Sequence, residues 1–295
     1  MKKRRKRKMI GFKIFLIIIF LIFAEFVISN TFLSVTKVAV KDTKIPASFD
    51  GYKIVQLSDL HDKSFGKDNS RLIRVIDKQK PDIIVLTGDM INSTDTNFQN
   101  LYSFSKQLVK ICPVYYIVGN HEQMLASELY KDMIGNLKKT GIIVLDNEKT
   151  TLIKNGKKIN LYGLWFNLRY YRNLSSQTSG NNDYSLTEDT IEQLIGRAKT
   201  SEYNILLTHN PVYFDTYSSW GADLTLSGHI HGGMIRIPFK GGLLSPEIKF
   251  FPKYDAGIYE NNGNKMFVSR GLGNGTFGIR FFNIPEIAVI VLEKE

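Results

Sequence analysis

The sequence predicts an α/β fold, with helices packed on a largely parallel sheet, carried behind a single N-terminal transmembrane helix. Three observations lead there. From Tyr52 to Leu145, strand-like apolar runs alternate with segments of helical spacing, the rhythm of β-α-β units. Residues 1–30 join an unbroken basic stretch to a long apolar run. All five histidines of the 295-residue chain fall in short clusters of Asp, His and Asn, each directly after a strand-like run.

The terminus comes first. Lys2, Lys3, Arg4, Arg5, Lys6, Arg7 and Lys8 supply seven of the +11 formal charges. The apolar run from Ile14 to Ala24 continues past Glu25 into Phe26-Val27-Ile28. Counted from Met9, it approaches the roughly 20 residues that a spanning helix needs. Lys13 near its start can snorkel to the interface. Ala24-Glu25-Phe26 and Ile28-Ser29-Asn30 are poor cleavage sites, so the segment reads as an uncleaved signal anchor rather than a removed leader. Arg4-Arg5 is a weak twin-arginine pair, because more Lys and Arg follow it. The positive-inside rule leaves the amino end in the cytoplasm, giving a single-pass cell-membrane protein with an extracellular body. Beyond this terminus the chain is only mildly basic and shows no basic stripe interleaved with stacking aromatics, so no nucleic-acid partner is expected.

Residues 31–50 read as a connector in which Val35 to Val40 alternates like an edge strand, broken at Ile45-Pro46 and Asp50-Gly51. Residues 51–295 then form one body, and the 43% hydrophobic content of the whole chain suffices for a substantial core. Tyr52 to Leu57, Ile83 to Thr87, Val114 to Val118 and Ile142 to Leu145 are strands. Ser70 to Lys80, Phe98 to Lys110 and Leu125 to Thr140 are the helices between them. In the second half, Asn155-Gly156 marks a hairpin between 150–153 and 158–162. Residues 169–187 read as a long loop or insert, and Thr187 to Ala198 as a helix with a capped start. A Gly- and Pro-rich stretch follows His231 up to Gly257, before strands at Met266 to Ser269 and Ile287 to Leu292. Cys112 is alone, so an intramolecular disulfide is impossible, and a buried inert thiol is expected.

The chemistry lies in the clusters Asp59-Leu60-His61, Gly88-Asp89, Gly119-Asn120-His121-Glu122, His209-Asn210 and Gly228-His229-Ile230-His231. Each alone has a plain reading as a turn, a cap or a packed histidine. Imidazole and carboxylate groups leaving several strand ends together are what bound divalent metals require. Asp59 and His61, two apart on an extended segment, would point to one side and share one ion. Asp89 suits a bridge between two ions, with Asn120 and His209 offering an amide oxygen and a further nitrogen. His229 and His231 would reach different ions of the pair. A histidine titrating near neutrality suits protonation of a departing alkoxide, and His121 sits beside Asn120; Glu122 is expected to orient His121.

In their order these clusters resemble the calcineurin-like metallophosphoesterases, from about Tyr52 to His231. The likeness is softer through Ser269-Arg270-Gly271-Leu272-Gly273 and Pro285-Glu286-Ile287. Gly51 to His61 resembles bacterial membrane-anchored or exported phosphodiesterases of that family in particular. The resemblance implies a four-layer sandwich of two mixed sheets flanked by helices. It also implies two divalent ions (Mn, Fe or Zn) whose bound hydroxide attacks phosphorus in line. Asp59, His61, Asp89 and His231 would hold one ion. Asp89, Asn120, His209 and His229 would hold the other, and His121 would be the nonligand proton donor. One departure stands out: Gly163-Leu164 is followed by Trp165, where family members often carry a carboxylate.

The substrate is then a phosphate ester at the membrane or in the envelope, with lipid-linked esters as candidates because of the anchor. Arg270 and Arg280 are candidate contacts to its anion. Trp165-Phe166 and Tyr170-Tyr171 are candidates to line a lipid or sugar site, with core packing as their default reading. Two other readings compete: a membrane-tethered envelope-binding protein with a purely structural metal site, and a nuclease on the same scaffold. Retention of His121, which the metals do not need, opposes the first, and the missing basic groove opposes the second.

Overall fold

The computed structural model describes residues 2–172, 185–275 and 278–295. Helix α1 (Lys2–Thr31) is followed by β1 (Ser34–Asp42), β2 (Tyr52–Leu57), α2 (Ser70–Asp77), β3 (Ile83–Thr87), α3 (Gln99–Leu108) and β4 (Val114–Ile117). Next come α4 (Asn120–Gln123), α5 (Ser127–Lys139), β5 (Ile143–Val144), β6 (Lys149–Lys154), β7 (Lys157–Leu164) and α6 (Arg169–Arg172). The remainder forms α7 (Glu188–Ile195), β8 (Asn204–Thr208), α8 (Phe214–Trp220), β9 (Leu224–Ser227), β10 (Arg236–Ile237), β11 (Gly241–Gly242), β12 (Gly257–Asn261), β13 (Asn264–Val268) and β14 (Glu286–Lys294).

Largely apolar runs such as Ile83–Thr87 and Asn204–Thr208 are buried on both faces, and their neighbours run parallel to them. One six-stranded sheet has the order β1-β14-β2-β3-β4-β5, the other β12-β13-β9-β8-β7-β6. Both are mixed: β14 is antiparallel to β2, while β6 and β12 are antiparallel edge strands. Side chains alternate across each strand and divide the core into layers. Val55, Leu57, Ile84, Leu86 and Tyr116 pack with Leu72, Phe104 and Leu137 of the helices α2, α3 and α5. Ile54, Val85 and Ile117 instead meet Leu161, Ile205, Leu207 and Leu226 across the space between the sheets. Tyr162 and Leu206, on the far face of the second sheet, pack with Ile191 and Tyr217 of α7 and α8. The result is the four-layer arrangement of two sheets with helices outside.

The strands and principal helices read from the sequence are present, with most helices trimmed by a few residues at both ends and α2 only at its C-terminal end. Asn155 and Gly156 both have positive φ, at 50° and 74°, as the hairpin turn requires. The hydroxyl of Thr187 accepts the N–H of Thr190 at 3.2 Å and caps α7. Three features depart from expectation. The Gly- and Pro-rich stretch after His231 holds the β10–β11 ribbon and leads into β12, strands that the sequence reading did not assign. The seven-residue α8 was not foreseen. Of the expected loop at 169–187, residues 169–172 form α6, and 173–184 lie outside the described residues.

Helix α1 contains one segment, Lys8–Thr31, long and apolar enough to cross a membrane. Its far end is tied to the body. Glu25 accepts the N–H of Phe282 at 2.6 Å, the Ser29 hydroxyl accepts that of Asn283 at 3.1 Å, and Asn30 donates to the carbonyl of Arg280 at 2.9 Å. The polar residues that interrupt the apolar run are therefore its docking points. Cys112 is half-buried, and burial followed by the Asp82 charge pushes its thiol up to about 12, as an inert cysteine requires.

The two sheets approach closely at Gly163. A Cβ there would lie 2.3 Å from the Cβ of Leu145 and 2.8 Å from the Leu145 carbonyl oxygen and Ile117 Cγ2. Gly163→Ala should therefore destabilise the body by about 1–3 kcal/mol, the usual cost of overpacking, visible as a lower denaturation midpoint. An unchanged midpoint would show that the sheets separate freely at this point.

Candidate metal centre

Each cluster leaves the carboxyl end of a parallel strand: Asp59 and His61 after β2, Asp89 after β3, Asn120 and His121 after β4, His209 after β8, His229 and His231 after β9. Because the two sheets pack face to face with these ends together, residues 170 positions apart become neighbours. Gln56 fixes the alignment from behind the site: its amide donates to the Thr87 hydroxyl at 3.0 Å and to the Ser227 carbonyl, in the other sheet, at 2.8 Å.

The backbone is bent sharply to bring the side chains inward. Asp59, His61, Asp89, His229 and His231 all have φ between 49° and 73°, a region that non-glycine residues enter at a cost and that clusters at functional sites. The extended Asp59–His61 segment expected from the sequence is thus replaced by two left-handed turns, yet both side chains reach the same place. Two glycines permit the close contact of these loops. A Cβ on Gly119 would fall 2.2 Å from Asp89 Oδ1, and one on Gly228 would fall 1.9 Å from Ser58 Oγ.

Asp59 and Asp89 are the centre of the arrangement, and both are buried. Asp59 Oδ1 lies 3.4 Å from His231 Nε2 and 3.8 Å from His209 Nε2. Asp89 Oδ2 lies 3.1 Å from His209 Nε2, 3.9 Å from His61 Nε2 and 4.0 Å from His121 Nε2. The Nε2 atoms of His61 and His231 face one another at 3.1 Å. Ligand atoms of Asp59, His61 and His231 form one group able to hold a metal ion, and those of Asp89, His209 and His229 form another. A third group joins His61, Asp89 and His121. Asn120 adds a buried side-chain oxygen that has no hydrogen-bond partner. Seven of the eight residues expected at the centre thus have ligand atoms brought together, and the eighth, Asn120, directly precedes His121.

The carboxylates and imidazoles shift one another's protonation strongly. Burial alone would raise the Asp89 carboxyl, but His209, His61 and His121 outweigh it and hold it well below the usual carboxylate range. Burial opposes the charged form of His209, but Asp89, Asp59 and the Thr87 carbonyl overcome it and push the ring up to about 10. His61 and His231 go the other way, lowered first by burial and next, for His231, by His61 itself. His209 Nδ1 donates to the Thr87 carbonyl at 2.6 Å, which leaves Nε2 turned toward Asp89. Buried anionic oxygens, converging imidazole nitrogens and an orphaned amide oxygen fit divalent cations well.

Three residues act differently from the sequence expectation. Glu122 does not orient His121; its buried carboxylate accepts the N–H groups of Asp89 at 2.9 Å, Met90 at 2.7 Å and Gly119 at 2.7 Å, clamping the β3 and β4 loops together. Burial and the nearby Asp89 push Glu122 up to about 7. Arg280 is buried, with its guanidinium donating to the carbonyls of Gly273, Arg270 and Asn283. Arg270 pairs with Glu286 at 2.9 Å. Both arginines thus bond to groups of the protein itself, and Arg280 braces a loop whose Gly273 N–H reaches the Asp59 carbonyl at 2.6 Å. Tyr170 and Tyr171 are core residues, although the Tyr171 ring also meets His229 edge-on, 5.1 Å between centroids. Glu247, bonded to His229 Nε2, was missed. Burial acts to raise its carboxyl, but His229 outweighs this and holds it down at about 2. It lies in the Gly- and Pro-rich stretch, where no local pattern singles it out.

Two face-packed mixed sheets with Asp, Asn and His gathered at their strand ends define a metallophosphoesterase scaffold. The calcineurin-like phosphoesterase family model matches residues 52–233, and the chain belongs to that family, whose members are hydrolases acting on phosphoester bonds with divalent metals. It is similar to the uncharacterized metallophosphoesterase YkuE of Bacillus subtilis, 32% identical over 88% of this chain and 85% of the relative. It is 28% identical to phosphodiesterase YaeI of Escherichia coli, over 82% of each chain. The uncharacterized metallophosphoesterase YkoQ of Bacillus subtilis is 27% identical over 79% of this chain and 81% of its own length.

Losing a group that orients a metal ligand typically costs about 10–100-fold in metal affinity or activity. Glu122→Ala, which releases three backbone N–H groups, should fall in that range when metal content and hydrolysis of a chromogenic phosphodiester are measured. Glu122→Gln, which keeps an acceptor oxygen, should lose less. Equal, wild-type behaviour of both variants would remove the clamp from the centre's requirements.

Proposed function

We propose that the chain hydrolyses a membrane- or envelope-associated phosphate ester with a two-ion centre. Asp59, His61, Asp89 and His231 would hold one cation, and Asp89, Asn120, His209 and His229 the other. The observation that carries this reading is the approach of four imidazole Nε2 atoms to within 4.0 Å of two buried carboxylate oxygens. The mixed nitrogen and oxygen donors suit Mn²⁺, Fe²⁺ or Zn²⁺. When bound, such a pair supplies charge neutralisation at the phosphoryl oxygens and a water of lowered pKa.

The protein's own residues supply the rest. His121 Nδ1 accepts the N–H of Ser93 at 3.0 Å, so the neutral ring carries its proton on Nε2. That proton faces the centre. The side chain is 15% exposed, against 3% or less for His61, His209 and Asp89 around it, so it borders the solvent side where an ester would enter. From there it donates to the phosphate or to the leaving oxygen. The diester reading is supported by the phosphodiesterase name of the Escherichia coli relative. We place residues 1–30 as the anchor, 31–50 as the connector and 51–295 as the catalytic body, with that body on the external face.

Asp89→Asn should lower metal content and nearly abolish turnover, because an amide cannot neutralise two cations; full turnover with both ions retained would overturn the bridging role. His121→Ala should keep both metals and slow hydrolysis on the order of 10²–10⁴-fold, the range for lost acid–base assistance. Its deficit should shrink for esters with good leaving groups. Metal loss in that variant would make His121 a ligand instead. For topology, a carboxyl-terminal reporter active only after export should be active, and neutralising Lys2 to Lys8 should reduce its signal. An inactive reporter on an abundant, active enzyme would place the body in the cytoplasm.

A further inference from the structure

We propose that residues 235–251 and 279–282 form a membrane-docking face, seated in the same leaflet that receives the carboxyl end of α1. The candidate centre would then work on esters carried by lipids in that leaflet. This rests on the reading of α1 as a membrane anchor and deepens it: the body lies against the bilayer instead of hanging from a tether.

The two segments are one surface. Arg236 donates its backbone N–H to the Phe281 carbonyl at 2.9 Å, and the chain beyond β11 folds back so that Phe251 donates to the Leu243 carbonyl at 3.0 Å. From this surface Phe239 stands fully exposed, and Ile248, Phe250, Phe251 and Phe282 are each more than half exposed, with Ile279 close behind. A concentration of large apolar side chains in water marks a surface that something covers. Exposed Lys240 and Lys249 are interspersed among them, the composition that suits anionic headgroups above an apolar boundary.

The occupant follows from continuity with α1. Phe282 donates its N–H to Glu25, and Asn283 to Ser29, so loop 279–282 lies beside the last turns of the apolar segment. Glu25 precedes Thr31 by six residues, roughly 9 Å along a helix axis at 1.5 Å per residue. Amphipathic surfaces bury their apolar side about 5–10 Å into the headgroup and acyl boundary, so a bilayer that accepts α1 meets this loop at interfacial depth. The candidate centre is directly behind the same surface. Glu247, between the exposed residues, reaches His229 Nε2, and the Asn283 amide donates to the His231 carbonyl at 2.6 Å.

The test uses the full chain in vesicles of phosphatidylcholine and phosphatidylglycerol, with Cys112 replaced by Ser. Single cysteines at Phe15, Phe239, Phe282 and Ile153 carry an environment-sensitive fluorophore, and lipids spin-labelled at shallow or deep positions act as quenchers. Ile153, exposed on β6 at the edge of the other sheet, is the remote control. Labels at Phe239 and Phe282 should lose emission with shallow quenchers, the label at Phe15 with deep ones, and the label at Ile153 with neither. Quenching at Phe15 with positions 239 and 282 as bright as 153 would overturn the docking face while leaving the anchor intact. Quenching at 239 and 282 without quenching at 15 would keep the face and overturn the anchor. As a second measurement, Phe239→Ser should slow hydrolysis of a lipid-borne phosphodiester in vesicles several-fold and leave a water-soluble chromogenic diester unaffected; equal effects on both would count against docking.

Discussion

Two buried carboxylates, Asp59 and Asp89, set the terms for the rest of the molecule. Burying ionised groups is expensive unless opposite charge and hydrogen bonds meet them. Here the compensation comes from both sheets. The His229 N–H serves Asp59 at 3.0 Å, the His121 N–H serves Asp89 at 2.8 Å, and imidazole rings from β2, β4, β8 and β9 surround the remaining oxygens. The left-handed turns, the glycine contacts between loops and the Glu122 clamp all follow from bringing these donors to one place. Gln56, bonded to both sheets, keeps the two halves of the ligand set from sliding apart.

The parts of this that could be read from the residues were those with a local signature. Strand ends at Leu57, Thr87, Ile117, Thr208 and Ser227 announced themselves because an apolar run gives way at once to Asp, Asn or His. The alternation of β and α in the first half and the Asn155-Gly156 hairpin were legible for the same reason. What stayed hidden depends on contacts distant in sequence. Nothing around Glu247 or Arg280 distinguishes a residue bonded to the centre, or bracing it, from an ordinary surface charge. Glu122 was noticed for its neighbours, but which backbone groups it serves is decided by the approach of the β3 loop from 33 residues away. The Asn262-Gly263 turn between β12 and β13, with φ of 51° and 83°, carried a hairpin signal of the same kind as Asn155-Gly156 and could have been found.

The contacts between α1 and the loop near Phe282 change how the terminus is understood. A flexible tether would let the body tumble, and the orientation of its site would be left to chance. Glu25, Ser29 and Asn30 instead make specific bonds to residues 280–283, so the helix end and the C-terminal loop are one unit. Arg280 extends that unit inward by bracing the carbonyls of Gly273 and Arg270, beside the backbone of Asp59. A continuous path of hydrogen bonds therefore runs from the apolar segment to the loop of a candidate ligand.

The place of β14 has a consequence for how the chain comes to be folded. This strand lies between β1 and β2, pairing Ser34 with Glu286 and Ile54 with Ile290. Until residues 286–294 have been synthesised, β1 has no partner and β2 has a bare edge, and the loop carrying Asp59 lacks the contacts of residues 272–273. Pairings this distant in sequence form late and slowly. A growing chain would thus carry an incomplete first sheet through most of its synthesis and complete it only when its last strand emerges.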